Sequence, residues 1–123
     1  MIVGLGVDLC NISRMERAIR SRYFVEHVFR PPEIAYAEGK GKGAASSYAA
    51  AYAAREAFAK ATGLSFAKIA LSQAFCLKRE NGVPRIAVSP ELDSAFARGE
   101  KTAWVSLSHD GDYAVAVVVI EKA

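Results

Sequence analysis

Ile2-Val3-Gly4-Leu5-Gly6-Val7-Asp8-Leu9 is the stretch on which the fold turns. Successive side chains of a strand point to opposite faces, so Val3, Leu5 and Val7 share one side and Gly4, Gly6 and Asp8 share the other. Two glycines and a carboxylate behind so apolar a face are unusual. They mark a place where another element or a ligand approaches the strand backbone. Beyond the strand, Asn11 or Ser13 can cap a helix running to about Arg22. On its wheel Ile12, Met15 and Ile19 fall together, while Arg14, Arg17 and Arg20 occupy a separate arc.

Pro31 suits the first turn of a second short helix through about Glu38. Gly39-Lys40-Gly41-Lys42-Gly43 reads as a flexible basic loop. Ala44 to Thr62 is rich in alanine and strongly helix-forming, with Gly63 as its stop. The second half reads as a sheet layer. Residues 69 to 79 form a strand, Asn81-Gly82 a hairpin turn, and Val83 to Val88 the return. Ser89-Pro90-Glu91 opens a short helix ending near Gly99. Ala103 to Ser108 and Tyr113 to Ile120 make a last strand pair around Asp110-Gly111. The run Ala114 to Ile120 is apolar on both faces, as a central strand is. These elements predict one α+β domain over residues 1–123, a mostly antiparallel sheet with a long helix packed against it.

Composition narrows the classes of function. The chain has 123 residues, 52% hydrophobic and 24% charged, which supports a packed core and argues against disorder. No apolar run approaches the roughly 20 residues that span a bilayer. The first residues lack the basic leader and cleavage site of a secretory signal, so a cytoplasmic protein is expected. Cys10 and Cys76 have no metal-ligand spacing and read as reduced structural thiols. A net charge of +3 permits an acidic partner. Nucleic acid is disfavoured, because no recognition-helix motif or aromatic stacking platform accompanies the short arginine face.

Tyr48, Tyr52, Glu56 and Lys60 recur every four residues along the long helix and form one drifting stripe. By spacing alone, Glu56 and Lys60 are a common solvent-facing pair. Asp8 alone is equally ordinary at a strand end. Together they mean more. Magnesium takes a few carboxylate oxygens, keeps waters, and fills its shell from substrate phosphates. Asp8 and Glu56 would meet that need, and Lys60 could offset charge on a transferring phosphoryl group. Ser106-Leu107-Ser108-His109-Asp110 invites a hydrolase reading, but neighbours on a strand point apart and make no triad by themselves. His109 then reads as a turn or cap residue, and His27 as packing before Phe29. Neither glycine-rich stretch has the spacing of a dinucleotide or phosphate-loop fingerprint.

Three blocks in order resemble the holo-acyl-carrier-protein synthase family of 4′-phosphopantetheinyl transferases. They are Ile2 to Leu9, Tyr52-Ala53-Ala54-Arg55-Glu56-Ala57-Phe58-Ala59-Lys60-Ala61, and Val105 to His109 followed by Tyr113 to Ala116. Phe29 to Glu33 and Gly82-Val83-Pro84 are similar to the family as well. The resemblance implies the family's fold and a trimer with active sites between subunits. The substrates it implies are coenzyme A and an acidic apo-acyl carrier protein. It implies that Asp8 and Glu56 hold magnesium on the coenzyme pyrophosphate, that Lys60 contacts the same phosphates, and that His109 lies near the coenzyme. Glu56, or a water on the metal, is then a candidate base for the carrier serine. The outward arc of Arg14, Arg17 and Arg20 is the expected docking face for the carrier. Two positions depart from the family pattern: Arg55 stands where it has lysine, and Ala51 where it has arginine. A carrier-binding homologue with weakened catalysis is the alternative reading.

Overall fold

Gly4 and Gly6 explain how the molecule is assembled. In the computed structural model, which describes residues 1–70, 74–90, 92 and 100–123, they lie beneath the long helix. Strand β1 (Ile2–Asn11) leads into helices α1 (Ile12–Ala18), α2 (Arg22–Val28) and α3 (Pro31–Glu38). A 3-10 turn at Gly41–Gly43 precedes the long α4 (Ala44–Thr62), which is followed by the short α5 (Phe66–Ala70). Then come β2 (Phe75–Glu80), β3 (Val83–Val88), β4 (Lys101–Asp110) and β5 (Tyr113–Lys122). The two sheets described are an antiparallel one in the order β1-β5-β4 and the β2–β3 hairpin. The expected α+β architecture is present.

Helix α4 packs across β1 and β5. A Cβ added at Gly4 would lie 2.0 Å from the Ala61 carbonyl oxygen, and one at Gly6 would lie 2.0 Å from that of Ala57. The helix backbone therefore rests directly on the strand, which the glycine face of β1 permits. On the same face of β5, Ala114, Ala116, Val118 and Ile120 are buried. Val118 and Ile120 each contribute about 1.5–3 kcal/mol by leaving water. The other face of this sheet is uncovered: Leu5 is 66% exposed, Val7 52%, Leu9 59% and Trp104 57%.

A second centre joins α3, α4 and β2. Arg55 is fully buried, and its guanidinium lies 5.1 Å from the Phe29 ring centroid and 5.0 Å from that of Phe75. Both terminal nitrogens of Arg55 donate to Glu33, one of them at 2.6 Å. Glu33 also accepts from the backbone N–H groups of Arg30 at 2.7 Å and Leu77 at 3.0 Å. Every oxygen of the buried carboxylate is thereby engaged, which is the condition for tolerating a buried charge. Cys10 and Cys76 are buried free thiols. No helix among the described residues is long and apolar enough to cross a membrane.

Several local expectations change. The first helix stops at Ala18, because the Ser21 hydroxyl caps a new helix by accepting from the Phe24 N–H at 3.2 Å. Met15 is buried and Arg14, Arg17 and Arg20 are exposed, as the wheel implied. His27 is not core packing. It sits exposed on α2 with its ring stacked on Tyr23, centroids 3.8 Å apart. Residues 39–43 are an ordered cap and 3-10 turn rather than a loose loop, with the Gly43 N–H bonded to the Lys40 carbonyl at 3.0 Å. The strand expected from residue 69 begins at Phe75, after α5. In the last hairpin Asp110 pairs with Tyr113, so the turn is Gly111-Asp112. The helix expected from Ser89 to near Gly99 lies almost wholly outside the described residues.

Candidate active site

The register of β1 decides where Asp8 points. It shares the face of Gly4 and Gly6, and so it meets α4. Two turns of that helix supply Glu56 and Lys60. The Lys60 ammonium lies 3.2 Å from Asp8 Oδ1 and 3.1 Å from the Val7 carbonyl oxygen. Asp8 Oδ2 is buried with no hydrogen-bond partner. The Glu56 carboxyl is pushed up to about 7, first by burial and then by the neighbouring Asp8 carboxylate. Lys60 and Arg14 oppose that shift without cancelling it.

Two carboxyl groups thus share one shielded corner, one of them with an orphaned oxygen and the other holding its proton near neutrality. Lys60 and Arg14 offset such a pair only in part, and a hard divalent cation is a group that would complete the balance. Among the described residues no three or more His, Cys, Asp and Glu side chains cluster as a metal site. A cation held by Asp8 and Glu56 would therefore take its other ligands from water and substrate oxygens. That is how magnesium is bound in phosphoryl-transfer sites, so the residues present fit it.

The stripe on α4 divides by depth. Tyr48 is buried and donates to Glu38 Oε1 at 2.8 Å, and burial leads the causes that push its hydroxyl up to about 12. Tyr52 is half-buried against Phe24 and Phe66. Only Glu56 and Lys60 reach Asp8.

His109 is elsewhere. It sits exposed on β4 opposite Ala114, two strands away from β1, or about 10 Å across the sheet. There it lines a cavity of about 380 Å³ with Lys40, Ser46, Ser47 and Arg79. Ser47 and Glu56 are separated by about two and a half turns and occupy opposite flanks of α4. Within one chain, then, His109 and the carboxylate pair do not meet. Ser108 and His109 pair with Val115 and Ala114, on opposite faces of the sheet, which removes the triad reading.

Two features escaped the sequence. Arg79 and Lys40 both approach the Tyr36 ring, at 4.5 and 4.7 Å from its centroid, and make the cavity beside His109 cationic. The neighbouring Asn81-Gly82 turn was legible, but the direction of Arg79 depends on how the hairpin docks. Asp112 is the other. Its carboxylate accepts from Ser13 Oγ at 2.7 Å, the Ser13 N–H at 3.1 Å and Asn11 Nδ2 at 3.0 Å, and these bonds hold its pKa down. It fastens the start of α1, and with it Arg14 and Arg17, to the β4–β5 turn. Ala51 is buried in the wall of a second cavity of about 350 Å³, between Glu33, Tyr36 and Leu77.

A small α+β protein with a carboxylate pair and lysine at the meeting of a strand end and a long helix has the form of a phosphoryl-group transferase. Residues 4–118 match the 4′-phosphopantetheinyl transferase superfamily, and the chain belongs to that family. It is 39% identical to a holo-[acyl-carrier-protein] synthase of Clostridium beijerinckii, over 98% of each chain. It is 35% identical to one of Treponema denticola, over 98% of this chain and 99% of that relative. Among solved structures it resembles the holo-[acyl-carrier-protein] synthase of Neisseria meningitidis, with a TM-score of 0.83 and 28% identity over 99% and 100% of the two chains. It also resembles the Bacillus anthracis synthase solved with coenzyme A (3′,5′-ADP), with a TM-score of 0.81 and 30% identity over 100% and 99%.

Proposed function

We propose that this protein transfers the 4′-phosphopantetheine arm of coenzyme A to a serine of apo-acyl carrier protein, releasing adenosine 3′,5′-bisphosphate. The observation that carries the reading is the Asp8–Glu56 pair with Lys60 at 3.2 Å from Asp8, on a family scaffold that covers nearly the whole chain. Asp8 and Glu56 are the residues that would hold magnesium. When bound there, magnesium supplies positive charge to the phosphate oxygens. The carrier serine Oγ attacks the β-phosphorus, and the bond from that phosphorus to the bridging oxygen of the pyrophosphate breaks. Lys60 meets the charge that grows on the departing phosphate. Glu56, or a water on the metal, is the candidate to take the serine proton.

The coenzyme extends toward a cationic cavity of the kind lined by Lys40, Arg79 and His109, where a phosphate monoester finds charge and hydroxyl donors. Because His109 lies across α4 from Asp8 in one chain, a complete site combines Asp8, Glu56 and Lys60 of one copy with the His109 flank of the next. The bare apolar face of Leu5, Val7, Leu9 and Trp104 supports burial between copies, in keeping with the homotrimer with sites between subunits that we propose. Arg14, Arg17 and Arg20, exposed beside the site, form the docking face for the acidic carrier.

Mass spectrometry of apo-carrier protein after incubation with the protein, coenzyme A and magnesium tests the reaction. A phosphopantetheine-sized mass gain is expected, and its loss with Asp8→Ala. An unmodified carrier that still binds the protein would favour the alternative, a carrier-binding homologue without turnover.

A further inference from the structure

Lys60 does not do what its position on the helix suggests. A lysine four residues after a glutamate ordinarily leans back on that glutamate. Its side chain is 57% exposed, so it is also free to point into water. Instead the ammonium reaches across to β1 and binds Asp8 Oδ1 at 3.2 Å and the Val7 carbonyl oxygen at 3.1 Å. Asp8 is only 16% exposed, and its second oxygen has no partner. Among the described residues, the positive charge hydrogen-bonded to this carboxylate is the lysine's, on Oδ1.

We propose that Lys60 is an internal counter-ion: in the free protein its ammonium takes the place of the divalent cation's charge at Asp8, and cation binding displaces it. This inference rests on the assignment of Asp8 and Glu56 as cation ligands. Magnesium holds carboxylate oxygens at about 2.0–2.1 Å. With the ammonium still 3.2 Å from Oδ1 and the cation on the neighbouring Oδ2, the two cations would sit within about 7 Å of one another. Like charges so close repel, and Asp8 and Glu56 together cannot neutralise three positive charges. The lysine is the one able to leave, because its stem is flexible and mostly solvated. Once released, its ammonium needs a new anion, and the coenzyme phosphates provide one.

Two consequences follow. Lys60 weakens cation binding when no coenzyme is present. It also couples the two ligands, since each favours the lysine position that the other needs, and that coupling is reciprocal. The arrangement delays assembly of the charged site until the phosphates arrive.

The test is Mn2+ titration by electron paramagnetic resonance, without coenzyme or carrier, on the full chain and on Lys60→Met, Lys60→Arg and Asp8→Asn. Lys60→Met should bind Mn2+ about two- to fivefold more tightly than the parent, the range expected for an exposed ion pair. Lys60→Arg keeps the charge and should behave as the parent. Adding coenzyme A should tighten Mn2+ in the parent by a larger factor than in Lys60→Met. Measurable but equal or weaker binding in Lys60→Met overturns the counter-ion role and leaves the transferase reading intact. Binding in the parent no better than in Asp8→Asn overturns both.

Discussion

Gly6→Ala should separate the two halves of the active site without touching a charged group. The added methyl would lie 2.0 Å from the Ala57 carbonyl oxygen and 3.0 Å from the Ala61 nitrogen, both of them helix backbone. Ordinary contact begins near 3.4 Å, so α4 and β1 must part by about 1.4 Å. No side chain can rotate away to absorb this. Overpacking of this kind costs about 1–3 kcal/mol. For a chain of this length that is roughly 4–12 °C of melting temperature. The same shift would draw Glu56 away from Asp8, while the flexible Lys60 stem can follow and keep its contact. Thermal melts and magnesium titration of carrier loading are the assays. Gly6→Ala should melt lower and need more magnesium for half-maximal turnover. Gly4→Ala, crowded against Ala61 and further from Asp8, should melt lower with a smaller change in magnesium need. A Gly6→Ala protein with parental melting and parental magnesium dependence would refute the argument that the glycine face sets the helix–strand distance.

Protonation of Glu56 gives a pH dependence with a defined sign. A cation needs the anionic carboxylate, so Mn2+ affinity should fall as pH drops below about 7, by up to about tenfold per unit, and level off above it. Because that pKa is raised above 4.5, the metal-free protein should lose stability as the pH rises from about 4.5 through about 7, and melts with and without magnesium should diverge over that window. Arg14→Glu with Arg17→Glu should raise the KM for carrier protein and flatten its salt dependence with little effect on the KM for coenzyme A. Unchanged carrier kinetics would place docking on another surface. Leu5→Asp, on the bare sheet face, should lower the mass seen by light scattering from three chains toward one and abolish turnover. A trimeric Leu5→Asp protein would show that this face is not the interface.

Much of this was legible along the chain, because strands and helices write their periods locally. The alternation of Val3, Leu5 and Val7 against Gly4, Gly6 and Asp8 set one face of β1 as a close-approach surface before any partner was known. The alanine-rich run and Gly63 set the bounds of α4, and the doubly apolar Ala114–Ile120 run marked the central strand. Helix ends were less secure where a cap competes with periodicity, as Ser21 does by ending one helix and opening another. Tertiary structure decided the pairings between distant residues. Lys60 binds Asp8, 52 residues away, rather than its helix neighbour Glu56, and Arg55 buries its charge on Glu33 instead of offering it to a ligand. His109, similar in sequence to a coenzyme-side residue, lies on the far flank of α4 from the carboxylates. Period and propensity act over a few residues. Which charge meets which across a helix and two strands depends on register and packing distance, and those exist only once the chain has closed on itself.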